Sequence, residues 1–287
     1  MSALDHAPGW VRTPLLRTRR KISRELFQMP DDGAATWTID PPAEPPRIDI
    51  LRVGNCEFRE VEGAHTVTSG VGYPRIMAQV LAEHGVGMGF QNIFAWHVDD
   101  FPDRHTLLKR RRARRGAPDL VIVGISAYPA MRHVLGFDRR MIGLRENLGR
   151  RTGPLIFPIW RCISFVLLRV GRPLPWQGTD GVEAFVTMAR DVWPAAQIAV
   201  QEPFMTQALP GAFDLERLAR FRDDVRAAAD RAGADWIPAP DLGDDPGLRG
   251  ANGYNVNARG SRVAGEHYAR WILDHGAIAG RATAGGA

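Results

Sequence analysis

Arg47 to Val53 (RIDILRV) runs directly into Gly54-Asn55-Cys56, and this junction decides how the rest of the chain is read. The first residues alternate and the last ones are mostly apolar, the pattern of a strand feeding a buried sheet. Glycine then permits a sharp turn. In an open α/β sheet, ligands bind at the carboxyl ends of the strands. A thiol just past a glycine hinge is therefore placed like a nucleophile. The tripeptide alone equally fits a small, half-buried cysteine filling a turn.

Outward from this strand the pattern keeps alternating. Tyr73 to His84 carries Ile76, Val80 and Leu81 at helical spacing. Val86 to Ala95 reads as a second strand, and Asp119 to Ile125 (DLVIVGI) as a buried parallel one. Val182 to Val192 reads as a helix and Gln197 to Gln201 as a fourth strand. Asp214 to Ala232 has an aspartate cap, a leucine and phenylalanine stripe, and Gly233 as its stop. Ala234 to Ile237 is a short fifth strand, and Ser261 to His275 a last helix ended by Gly276. Strands separated by helices predict a three-layer α/β sandwich, with a mostly parallel sheet of about five strands. The expected divisions are a basic arm and proline-rich linker over 1–46, an α/β domain over 47–276, and a flexible tail over 277–287. Pro41 to Pro46 forms the stiff end of the linker.

Composition narrows the class of protein. The 287 residues are 45% hydrophobic and 24% charged, an ordinary globular mixture that excludes wholesale disorder. Two cysteines, Cys56 and Cys162, make no disulfide framework and point to a reducing compartment. No secretory signal is read at the N-terminus, and no apolar run reaches the ~20 residues of a spanning helix. Leu155 to Val170 comes nearest but contains Pro158 and Arg161. A cytoplasmic location is expected. The net charge of +5 is concentrated in Lys109 to Arg115 (KRRRARR), without which the balance would be −1. Such a patch can attract nucleic acid, acidic lipid headgroups or an acidic protein partner, or be a solvated helix face. No aromatic residue interleaves with it and no helix-turn-helix or zinc-finger spacing accompanies it, so nucleic acid is not the expected partner. Asp99-Asp100 and Asp244-Asp245 lack a His/Cys/Glu set at ligand spacing, so no metal is expected. Gly85-x-Gly87-x-Gly89 does not open a helix and is no dinucleotide fingerprint, so no cofactor is expected either.

Four stretches resemble the SGNH (GDSL-type) hydrolase family in order and spacing over about residues 47 to 275. LRVGNCEF stands where that family has strand–Gly-Asp-Ser. Gly72-Tyr73-Pro74 resembles its tyrosine-proline helix start, and DLVIVGISAYP its third strand with a Gly-x-Asn-Asp loop. Asn252 to Gly260 (NGYNVNARG) has the spacing of its Asp-x-x-His-x-Asn-x-x-Gly segment. The resemblance implies a Ser-His-Asp hydrolase or acyltransferase acting on an acyl ester, with an SGNH-hydrolase or flavodoxin-like fold. Position by position the chemistry is replaced. Cys56 stands for serine, Asn55 for the aspartate before it, and Tyr128 for the oxyanion asparagine. Asn255 stands for histidine and Asn252 for aspartate, while Phe94 takes the place of the second-block glycine after Asn92.

A thiolate is intrinsically the better nucleophile, but a free thiol titrates near ~8.5 and needs a base or a positive neighbour. A carboxamide such as Asn255 cannot relay a proton. Loss of one oxyanion donor costs on the order of 10²–10³ in rate. Two readings follow. In one, Cys56 accepts an acyl group, His97 is the base, and Asn255 orients the imidazole as in Cys-His-Asn proteases. Tyr128 then stands at the oxyanion position, and Gly54, Asn55, Ser126 and Asn252 line the pocket. His65 is a second candidate base, and His267 lies too far along the last helix. In the other, the pocket does no chemistry and binds a small acyl or glycosyl ligand or a protein. An acyl carrier protein is the acidic partner expected at Lys109 to Arg115.

Overall fold

The computed structural model describes residues 34–35, 47–54, 61–62, 65–66, 72–94, 116–125, 132–133, 172–173, 179–203, 215–242, 245–248 and 256–276. Five parallel strands form the sheet: β1 (Arg47–Gly54), β2 (Gly87–Phe94), β3 (Leu120–Gly124), β4 (Gln197–Gln201) and β5 (Asp235–Ile237). They lie in the order 2-1-3-4-5, the doubly wound arrangement of flavodoxin-like proteins. The backbone of Ala34–Ala35 adds a short antiparallel strand outside β2, opposite Ile93 and Asn92. Four described helices, α1 (Gly72–Glu83), α2 (Asp180–Val192), α3 (Leu215–Arg231) and α4 (Ala258–His275), cover the two faces. This is the three-layer α/β sandwich expected from the alternation of the sequence. None of the described helices is long and apolar enough to cross a membrane.

The period of two in each strand sorts side chains between two cores. Ile48, Ile50, Phe90, Leu120, Ile122 and Ala199 face α1 and α4. Leu51, Val53, Ile93, Val121, Val123 and Val200 face α2 and α3. Both faces are covered, so the central strands read as near-continuous apolar runs. The α1 stripe differs from the expected Ile76-Val80-Leu81 face. Its buried line is Tyr73, Met77 and Leu81 at four-residue spacing, and Ile76 and Val80 flank it.

At the other end of the chain, α4 begins at Ala258 rather than at the expected Ser261. Asn257 caps it: the side-chain oxygen accepts from the Gly260 N–H at 3.1 Å, and the amide donates to the Gly247 carbonyl at 2.7 Å. A Cβ on Gly260 would stand 2.8 Å from Cβ of Val256 and collide with the Leu248 carbonyl, so glycine is needed for this close approach. The last two residues of the Asp-x-x-His-x-Asn-x-x-Gly spacing are thus structural, a cap and a packing glycine. Asn257→Ala should lower stability by about 1 kcal/mol in urea unfolding, while Asn257→Asp or Ser should lose much less. An unchanged midpoint for the alanine variant would contradict the cap.

Elsewhere, α3 stops at Gly233 as expected, with φ of 66° at that glycine. Arg190 of α2 donates to the carbonyls of Ala232 and Gly233, and Arg231 pairs with Glu183, so the two helices are tied at this end. Asp214, read as the cap of α3, lies outside the described residues.

Candidate functional site

In a 2-1-3-4-5 sheet the chain leaves β1 toward one side and returns to the other for β3. The crevice at the carboxyl ends of these two strands is the topological switch point, where ligands bind in open α/β sheets. Here the two strands end in glycine, Gly54 and Gly124. Their backbones touch: a Cβ on Gly54 would stand 2.6 Å from the Gly124 carbonyl oxygen. The residues just before Asn55-Cys56 and just before Ser126 to Tyr128 therefore stand at adjacent strand ends.

On the α1/α4 face, two residues before that edge, lies a feature that the sequence pattern does not reveal. Arg52 is fully buried. Its Nη1 donates to Oδ1 of Asn92 on β2 at 3.0 Å, and its Nε to Oε1 of Gln201 on β4 at 3.2 Å. Gln201 donates in turn to the Tyr268 hydroxyl at 2.5 Å, with the Tyr73 hydroxyl 3.4 Å away. The two phenol rings pack with centroids 4.9 Å apart, joining α1 to α4 above the sheet. Asn92 is also fully buried, and its Nδ2 has no hydrogen-bond partner among the described residues.

The guanidinium fits against the strand ends because both are glycine. A Cβ on Gly54 would stand 2.9 Å from Nη1, and one on Gly124 would stand 2.5 Å from Cζ. A buried cation is expensive unless it is hydrogen-bonded, and a fully buried one at a sheet's ligand edge marks a functional-site candidate.

Helix α4 is set against this edge by contacts at both ends of β4. Gln197 donates to the His275 carbonyl at 2.8 Å and Gln201 to Tyr268, so α4 runs down the sheet as β4 runs up. The ten residues from Ala258 to His267 therefore stand beyond the carboxyl edge of β4, about 15 Å of helix. The segment that precedes α4 enters from that side. His267, discounted as a base, has its Nε2 2.8 Å from the Pro238 carbonyl just past β5.

Of the residues expected in the site, Gly54 is described and ends β1 as expected. Cys56, Asn55, His97, Ser126, Tyr128, Asn252 and Asn255 lie outside the described residues, as does Lys109 to Arg115. The side chain of His65 does too, although its backbone pairs in a two-residue strand with Glu62. Among the described residues no group of three His, Cys, Asp or Glu side chains could hold a metal ion.

No protein-family model matches the sequence, and no curated protein matches it by sequence. Among solved structures, the chain is similar to a family 3 carbohydrate esterase of Clostridium thermocellum, with 12% identity and a TM-score of 0.48 over 79% of this chain and 96% of that one. It is similar to a lipase/acylhydrolase from Enterococcus faecalis, with 11% identity and a TM-score of 0.47 over 79% and 96%. An acetylxylan esterase from Geobacillus stearothermophilus gives 14% identity and a TM-score of 0.45 over 78% and 94%. At these identities no residue's role passes from them to this chain.

Proposed function

We propose that the chain is a divergent SGNH-hydrolase-like protein that transfers or hydrolyses an acyl group through Cys56. The observation that carries this reading is the adjacency of Gly54 and Gly124 at the switch point, since in sequence Cys56 soon follows the first and Tyr128 the second. The Cys56 thiolate attacks the ester carbonyl, the C–O bond breaks, and a thioester forms on the sulfur. His97 takes the thiol proton and returns it to the leaving alkoxide, and Asn255 orients the imidazole. Water or an acceptor hydroxyl then attacks the thioester and restores the thiol. Tyr128 faces the developing oxyanion, and Asn55, Ser126 and Asn252 line the pocket. His65 is the alternative base. An acidic protein such as an acyl carrier protein is the partner for Lys109 to Arg115, its binding weakened by salt. The absence of a disulfide framework supports a cytoplasmic setting.

A second reading, a binder of a small acyl or glycosyl ligand without turnover, is favoured by the carboxamide at Asn255 and the tyrosine at 128. Incubation with a short-chain p-nitrophenyl ester separates the two. The first reading expects one acyl mass added on the Cys56 peptide, released by neutral hydroxylamine and absent in Cys56→Ala. Ester turnover that survives Cys56→Ala would refute the thiol mechanism, and saturable binding without an adduct would leave the second reading.

A further inference from the structure

We propose that the start of α1 and the buried hydroxyl of Ser261 on α4 together bind an oxyanion, the phosphate or carboxylate group of a ligand. This site is separate from the thiol chemistry above and stands whether or not Cys56 reacts. α1 opens at Gly72, with φ of 50°. The N–H groups of Gly72, Tyr73 and Arg75 in its first turn have no acceptor within the helix, and Pro74 has no N–H. Ser261 is the second observation. It is fully buried, and its Oγ has no hydrogen-bond partner among the described residues. A buried hydroxyl left in that state is unfavourable, and alanine would serve the packing as well.

Placement joins the two. α1 starts beside Gln201, the last residue of β4, and ends at the turn into β2, so it runs down the sheet as α4 does. Gly265 of α4 abuts α1, where a Cβ would stand 2.8 Å from the Tyr73 carbonyl. Ser261 precedes Gly265 by four residues, on the same side of α4 and about 5.4 Å nearer its start. That step carries its hydroxyl level with the opening of α1. Charge agrees with this placement. A helix N-terminus is partly positive and favours acids in its first turn, yet neither α1 nor α4 has one there. Arginines stand nearby instead. Arg259 is 3.7 Å from Asp245, while Arg75 and Arg262 are exposed and make no ion pair among the described residues. A water could satisfy Ser261, but only an anion satisfies the hydroxyl, the helix end and the guanidinia at once.

The probe is inorganic phosphate, added to the full chain at fixed ionic strength. Affinity is read from the rise of the thermal midpoint with concentration. Ser261→Ala should weaken apparent affinity about tenfold, the worth of one hydrogen bond to a charged group. The phosphate-free midpoint of that variant should equal or slightly exceed that of wild type, since no partner is lost. Arg262→Gln should weaken affinity about threefold. Arg270→Gln, farther down α4 and paired with Glu266, should leave it unchanged. A parallel titration with acetate separates the two oxyanions: saturation by either one, with the same dependence on Ser261, supports the site. The proposal is overturned if neither anion saturates, if binding is unmoved by Ser261→Ala or Arg262→Gln, or if Arg270→Gln weakens it equally. A phosphate-free Ser261→Ala chain that melts well below wild type, or does not fold, also overturns it, because the hydroxyl is then engaged within the protein.

Discussion

Replacing Gln201 by leucine is expected to cost about 3 kcal/mol in urea unfolding, whereas Arg52→Met should cost less, about 2 kcal/mol. The asymmetry comes from where the charge is left. Leucine at 201 removes the Oε1 that accepts from Nε of Arg52 and the amide that donates to Tyr268, while the guanidinium stays in the core. Methionine at 52 withdraws the cation itself and fills most of its volume with apolar atoms. It leaves two neutral acceptors, Asn92 Oδ1 and Gln201 Oε1, unpaired, which costs less than a buried cation stripped of a partner. Equal losses, or the larger loss for Arg52→Met, would mean that Gln201 is not what holds the cation. The double variant should then sit close to Arg52→Met alone, because the penalty of the single Gln201 change needs the guanidinium present.

Gly124→Ala should be destabilising by about 2–3 kcal/mol, the cost of overpacking a filled core. Its methyl would lie 2.5 Å from Cζ of Arg52, a group boxed in by β2 and β4. Gly89→Ala is the control. Its methyl would also meet side chains, but these are Asp49 and Arg47, an exposed pair that can swing into water. That variant should lose less than about 1 kcal/mol. Adding Arg52→Met to Gly124→Ala should recover most of the loss, since it removes the atoms the methyl strikes. If Gly89→Ala proves as costly as Gly124→Ala, or if methionine gives no rescue, the guanidinium is not what requires glycine at 124.

Much of this architecture is legible from the sequence because each sheet strand is a short apolar run bounded by helix signals. Gln197 to Gln201 was read to the residue, and β1, β2, β3 and β5 to within one residue at either end. The start of α4 was missed by three residues. Asn257, Arg259 and Gly260 look like loop in one dimension, and only the cap geometry shows that the helix has begun.

Arg52 was missed for a different reason. A charge inside RIDILRV reads as an edge or a solvent-facing residue, and its partners Asn92 and Gln201 lie 40 and 149 residues away. No local period reports such a contact. Gly54 was legible as a turn, but its second duty, leaving room for a guanidinium, depends on Arg52 and on Gly124 across the strand pair. The residues proposed to carry the chemistry lie outside the described residues, and for them spacing and resemblance are the available signals.

The seating of α4 also governs how the chain is made. Gly265 lets that helix approach α1 so closely that a Cβ there would stand 2.8 Å from the Tyr73 carbonyl. Together the two helices cover the sheet face lined by Ile48, Ile50, Phe90 and Ile122. α1 is made soon after β1, but α4 is translated roughly 200 residues later, on the order of ten seconds or more at ribosomal speed. During that interval the growing polypeptide carries a half-covered apolar sheet and an arginine still lacking Gln201 and the Tyr268 hydroxyl beyond it. Aggregation of the incomplete chain, rather than of the finished fold, is the hazard expected from this late-arriving helix.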